Sequence, residues 1–184
     1  MSTLITNTLQ GVNTIKRDAS TTAMTIDSSG RVNQPTLPAV FWQGGNEGNV
    51  GIAANENYFA TNDGQAAVYT DGTYHSFIQG GMTYTATTGR FTVPIDGIYS
   101  ISCTIYHNAD QESFRLNGQI NGTTTFMAHG GFNFNSSSNR GTHTASATIK
   151  LNANDYITFT NGAGGTRTFY QGIGHTNGFI YLVG

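Results

Sequence analysis

Between Tyr99 and Ile105 the side chains change character at every step: Tyr99, Ile101, Cys103 and Ile105 are apolar, while Ser100, Ser102 and Thr104 between them carry small hydroxyls. Consecutive side chains point to opposite sides only in an extended strand, so this stretch must lie with one face buried and the other wet. Residues 141–151 repeat the device, with Thr142, Thr144, Ser146 and Thr148 opposing His143, Ala145, Ala147, Ile149 and Leu151. No window of about a dozen residues carries an apolar stripe of helical period free of Gly or Thr clusters. Twenty-four glycines and three prolines punctuate short apolar runs, the pattern of an all-β chain with many short strands.

Further runs fill in this picture. Val40-Phe41-Trp42 predicts a first strand ending at Gly44-Gly45, and the turn-dense stretch from there to Gly81 predicts short strands near Ala66–Tyr69 and His75–Ile78. Asn117-Gly118, inside Arg115–Ile120, is a strong hairpin signal, because an Asn-Gly pair readily takes the positive φ angles of a tight turn. Asn152–Asp155 predicts a turn into a strand at Tyr156–Thr160. The last run, Gly178-Phe179-Ile180-Tyr181-Leu182-Val183-Gly184, is apolar on both faces. One apolar face suffices for a sandwich core, so the second calls for a neighbouring subunit and hence an oligomer.

Residues 1–34 read differently. They contain no aromatic residue, and Leu4, Ile5, Leu9, Val12, Ile15, Met24 and Ile26 are too sparse to build a core. Such a segment cannot offset its ordering entropy alone, so it is either disordered or ordered by lying on a partner. The expected organisation is an extended attachment arm over 1–34 and a β-rich head over 35–184, with Pro35 and Pro38 at the boundary. Those seven apolar residues are the arm's candidates for docking onto the partner.

The formal net charge is −2, only 10% of residues are charged, and the eight Lys and Arg are scattered, which argues against nucleic-acid binding. No stretch reaches the ~18 apolar residues of a membrane span, and the N-terminal residues lack the basic and apolar regions of a signal peptide. The chain is therefore expected to be made in a cytoplasm. Cys103, the single cysteine, excludes an intrachain disulfide and reads as a small buried hydrophobe.

At Tyr84-Thr85-Ala86-Thr87-Thr88-Gly89-Arg90-Phe91-Thr92-Val93-Pro94-Ile95-Asp96-Gly97-Ile98-Tyr99 the sequence resembles the globular heads of complement and tumour-necrosis-factor-like proteins, which share Tyr, Thr-Gly, Phe-Thr-x-Pro and Gly-x-Tyr in this order. Ile149–Ile157, with Asn154 in the usual Gly position, and Gly178–Leu182 are similar to later strands of the same heads. The resemblance covers about residues 38–184. It implies a ten-stranded jelly-roll sandwich assembled as a homotrimer, with Tyr84, Phe91, Phe179 and Tyr181 at the trimer interface. The collagen stalk of many relatives is absent, since the arm has no Gly-X-Y period. In the arm, Thr21-Thr22-Ala23-Met24-Thr25-Ile26-Asp27-Ser28-Ser29-Gly30-Arg31-Val32 resembles the leader of structural proteins in marine tailed phages. That points to a virion, with release by lysis.

Chemistry is scarce. There is no Gly-x-Ser-x-Gly elbow, and Asn161–Thr166 lacks the Lys of a P-loop. Of His75, His107, His129, His143 and His175 only His107 stands four residues from a Cys, Cys103. On an extended strand that puts them about 13 Å apart, too far to share a metal, and His143 reads as a core or interface residue. Asp63 and Asp71 each precede a Gly, which turn chemistry explains better than calcium, although heads of the resembled family sometimes bind calcium in such loops. No enzyme activity, cofactor or metal is expected. Phe132, Phe134, Arg167 and Tyr170 are the candidates to face a receptor, a host glycan or protein, with packing against a neighbouring strand or subunit as the alternative. The expected function is a short trimeric phage fibre or knob, with a capsid decoration protein and a secreted bacterial lectin-like module as the other readings.

Overall fold

In the computed structural model the described residues are 14–16, 22–26, 28–30, 32–33, 37–45, 48–60, 68–69, 76–107, 115–130, 141–170, 172 and 174–184. The chain divides into two compact units, Met1–Leu37 and Pro38–Gly184. The first is not a bare extended arm. Its described residues form three short antiparallel strands, β1 (Thr14–Lys16), β2 (Thr22–Ile26) and β3 (Val32–Asn33), in the order β1-β2-β3.

The second unit is all β among its described residues. Its strands are β4 (Ala39–Gly44), β5 (Asn49–Ile52), β6 (Val68–Tyr69), β7 (Phe77–Gln79), β8 (Thr83–Thr85), β9 (Arg90–Thr92) and β10 (Gly97–His107). There follow β11 (Arg115–Ile120), β12 (Thr124–Gly130), β13 (Gly141–Leu151), β14 (Tyr156–Asn161), β15 (Arg167–Tyr170) and β16 (Asn177–Leu182). They make two antiparallel sheets. The larger runs β5-β15-β10-β16-β4-β6, with β13 also paired to β10 and β7 to β4; the smaller runs β12-β11-β14-β9-β8. Among the described residues the strand segments number eight and five, where the resemblance implies ten strands in all.

The two alternating stretches pair with each other from Gly97↔Leu151 to His107↔Gly141 without a register shift. One shared face is buried, so register is fixed: a slip of one residue would turn the apolar set to water. The hairpin, by contrast, is not at Asn117-Gly118. That pair lies inside β11, with the bulge immediately after Gly118, and the chain turns four residues later at Asn121-Gly122, where φ is 53° and 72°. A bulge and a tight turn use the same residue types, which is why the local signal fell on the wrong copy.

The core lies between the sheets and is dominated by aromatic rings. From the larger sheet Trp42 reaches across to stack on Phe91 (centroids 4.5 Å) and to meet Phe159 at 5.5 Å, both in the smaller sheet. Phe59 packs edge-on to Trp42 at 5.7 Å and to Phe159 at 5.6 Å. Full burial of such side chains contributes about 1.5–3 kcal/mol each. Cys103 is buried among them, and burial pushes its thiol well above the usual range.

The stretch from Ala53 to Ala60 contributes to this core without being a strand. Asn57 binds it to the turn at 86–89: its side-chain amide donates to the carbonyls of Thr88 (2.8 Å) and Gly89 (2.9 Å) and accepts from Phe59 N–H. Asn161, fully buried, does the same for the glycine-rich loop, donating to Ile52 O and Gly165 O (both 2.9 Å) and accepting from Ala163 N–H. These two amides satisfy backbone groups that no sheet ladder reaches.

Candidate functional site

The larger sheet has an outer face as well as a core face, and the registers map it row by row. Phe77, Phe41, Phe179 and Ser102 stand opposite one another across β7, β4, β16 and β10. The next row toward the end of β16 is Gln79, Ala39, Tyr181 and Ser100. Beyond it, Val183 N–H donates to Ile98 O at 2.7 Å, which brings those two residues together. Phe77, Tyr181, Val183 and Ile98 are 43%, 44%, 59% and 46% exposed. The rings of Phe41 and Phe77 lie 6.3 Å apart, and those of Phe179 and Tyr181 5.4 Å. The result is a continuous apolar band on an outside surface.

Beside the band the same face becomes hydroxylic. Ser100, Ser102 and Thr104 of β10 stand opposite Thr148, Ser146 and Thr144 of β13, and the hydroxyls of Thr104 and Thr144 are 2.8 Å apart.

Of the four residues expected at a subunit interface, Phe179 and Tyr181 lie in this band. Phe91 does not: it is fully buried between the sheets under Trp42, and its ring serves the chain's own core. Tyr84 stacks on Phe91 at 4.8 Å and donates its hydroxyl to Phe59 O at 2.6 Å, so it too packs inward. Both are in the smaller sheet, on β8 and β9, away from the outer face of the larger one. Val183 belongs to the closing run whose two apolar faces call for a partner, whereas Phe41, Phe77 and Ile98 carry no such signal in the sequence. Phe41 shares parity with the exposed side of β4, opposite to buried Val40 and Trp42.

The other candidates are dispersed. Leu4, Ile5, Leu9, Val12, Phe132 and Phe134 lie outside the described residues, as do Asp63 and Asp71. Ile15 and Met24 are partners in the β1–β2 ladder, and Ile26 is half-buried. Arg167 and Tyr170 do not act together. They are three residues apart on β15 and so point to opposite faces, Arg167 lying near enough to the core-facing Tyr58 for its charge to act on that hydroxyl.

Tyr170 instead meets Tyr106 (centroids 6.2 Å) and His175 (5.3 Å), with Tyr106 and His175 4.9 Å apart. His107 and His143 are buried, their rings stacked at 5.4 Å. Among the described residues no group of three or more His, Cys, Asp or Glu could hold a metal ion.

Two antiparallel sheets enclosing an aromatic core, with the chain's last strand at the heart of the larger one, make a sandwich of the jelly-roll kind. Solved structures agree. The Eiger TNF of S. frugiperda superposes with a TM-score of 0.66 at 16% identity, over 81% of this chain and 94% of that one. The globular domain of the zebrafish complement 1qA protein gives 0.52 at 15% identity, over 80% and 98%. No protein-family model and no curated protein sequence matches.

Proposed function

We propose that this chain is a non-enzymatic structural and adhesive protein: a trimeric head carried on a phage particle by its N-terminal residues, as a short fibre or knob exposed to the host surface. The observation that carries the assembly is the outer-face band of Phe77, Phe41, Phe179, Tyr181, Val183 and Ile98. Each of these side chains is partly or largely exposed in the single chain, and covering such a contiguous band is what subunit association does. The similar folds of the tumour-necrosis-factor and complement type support three copies as the number. The particle role is supported by the phage-like run Thr21–Val32.

Sedimentation at micromolar concentration tests the assembly. The wild type should run at three times the 19.6 kDa chain mass, and Phe179→Ser/Tyr181→Asp should dissociate it while leaving the strand content unchanged. A folded wild-type monomer would defeat the proposal. Electron microscopy and adsorption assays on particles lacking the gene test the role: failed adsorption of intact particles is expected, whereas fragile heads with normal adsorption would make it a capsid decoration protein.

A further inference from the structure

The end of the larger sheet remote from the apolar band carries a second arrangement. Asn49, Tyr170, Tyr106 and Thr142 are direct cross-strand partners on β5, β15, β10 and β13, so their side chains stand in one row on the outer face. At the usual strand separation the row spans about 14 Å. Asn49 and Thr142 at its ends are exposed, and the two tyrosines between them are half-exposed.

The turn after β15 adds the exposed ring of His175 to both tyrosines. Its described residues are held by several hydrogen bonds. Buried Thr176 donates its hydroxyl to Tyr170 O at 2.8 Å and accepts Tyr106 N–H at 3.4 Å, Gly174 takes φ 78°, and its N–H donates to Gln43 Oε1. Gly172 lies so close to the Tyr170 ring that a Cβ there would run into Cε1.

Two aromatic rings with an imidazole, flanked at one end by an amide and at the other by a hydroxyl, match one chemistry. The rings offer apolar faces to the C–H side of a pyranose, and the amide and hydroxyl each donate and accept hydrogen bonds to sugar hydroxyls. None of the five side chains is a carboxylate, lysine or arginine, and a single exposed imidazole is a weak anchor for a phosphate or a sulfated or carboxylated sugar. A protein partner would want a broader apolar patch than one narrow row.

Deepening the adhesive reading on which it rests, we propose that Asn49, Tyr170, Tyr106, Thr142 and His175 form a subsite for a linear, neutral oligosaccharide lying across the strands. The row is distinct from the subunit-contact band: Tyr106 is four residues along β10 from Ser102, whose row holds Phe179, Phe41 and Phe77, about 13 Å.

The test uses the full chain on a printed array of gluco-, galacto-, manno- and N-acetylglucosamine tetramers, with sedimentation of every variant in parallel. At least one neutral series should retain the wild type, and 1 M salt should not release it, since no ion pair is involved. Tyr170→Ala should lower retention about tenfold, the loss of roughly one ring's contact. Gly172→Ala should do so with all five side chains still present, by displacing the ring, and Tyr170→Phe should keep most of it. No retention on any neutral series, retention abolished by salt, or indifference to Tyr170→Ala would overturn the subsite. So would a change of oligomeric state in Tyr170→Ala, which would make the row a subunit contact. A wild type that sediments as a monomer and still loses sugar on Tyr170→Ala would remove the trimer and leave the subsite standing.

Discussion

Gly178→Ala is the sharpest probe of the sandwich, since it adds one methyl group where none fits. Gly178 lies in β16 opposite Trp42 of β4 and Cys103 of β10, with its Cα facing the core. A Cβ there would run into Cζ2 of Trp42 and stand 2.5 Å from Ser102 O. Neither neighbour can yield. The carbonyl belongs to the backbone of the adjoining strand, and the indole is fully buried, held by Phe91 at 4.5 Å, Phe159 at 5.5 Å and Phe59 at 5.7 Å.

Overpacking of a tight core costs about 1–3 kcal/mol, and with one contact to backbone and one to a clamped ring the upper end applies, about 3 kcal/mol. For a domain of this size that lowers Tm by about 10 °C. Gly48→Ala is the control: its Cβ meets nothing within 4 Å, so it should leave Tm within about 2 °C. Calorimetry at one fixed protein concentration reads both, fixed because association would itself move Tm. In the Gly178→Ala background Trp42→Phe should cost less than it does alone, with a coupling of about 1 kcal/mol, because a smaller ring makes room. Equal Tm values for Gly178→Ala and Gly48→Ala, or strict additivity in the cycle, would show that β16 does not press on Trp42 and would refute this packing.

Asn161→Ala should cost about 3 kcal/mol by urea denaturation, since it strands the carbonyls of Ile52 and Gly165 and the N–H of Ala163 in a buried setting; Asn161→Asp should rescue little, because a carboxylate cannot donate to carbonyls. Burial raises the hydroxyl pKa of Tyr58, Tyr84 and Tyr99 above the ordinary 10.0. The unfolded chain therefore releases these protons first, so the stability they contribute is complete below pH 10 and falls as pH rises beyond it. An alkaline titration followed by tyrosinate absorbance should show them ionising together with unfolding, and their smooth ionisation in a still-folded chain would contradict the burial. The Cys103 thiol should react with a disulfide reagent at least a hundredfold more slowly in the native protein than in denaturant; equal rates would show that β10 opens readily.

The parts of the fold legible in the sequence are those where side-chain alternation and tertiary burial say the same thing. β10 and β13 are of this kind, as is β16, whose second apolar face distinguishes it. The resemblance block from Tyr84 to Tyr99 covers β8, β9 and the entry to β10. What escaped is built from contacts that no period marks. Tyr58 and Phe59 are core residues in a non-strand segment held by Asn57, and their burial depends on a turn some thirty residues away. The shared pattern implies an interface role for Phe91, yet it serves equally when the ring packs inward, as it does here. The row of Asn49, Tyr170, Tyr106 and Thr142 draws on four strands far apart in sequence and exists only once the registers are set. Of its members only Tyr170 carries a signal in the sequence, as one of the four candidates to face a receptor.

Trp42 is the chain's single tryptophan, and it is wedged where the two sheets meet, with its Nε1 finding no acceptor among the described residues. The molecule thereby carries its own optical gauge. An indole in so dry and ring-lined a setting emits at short wavelength, and any parting of the sheets admits water to it and shifts that emission to the red. Opening of the sandwich in solution, in an assembly or on a particle can be followed from this one chromophore without a label.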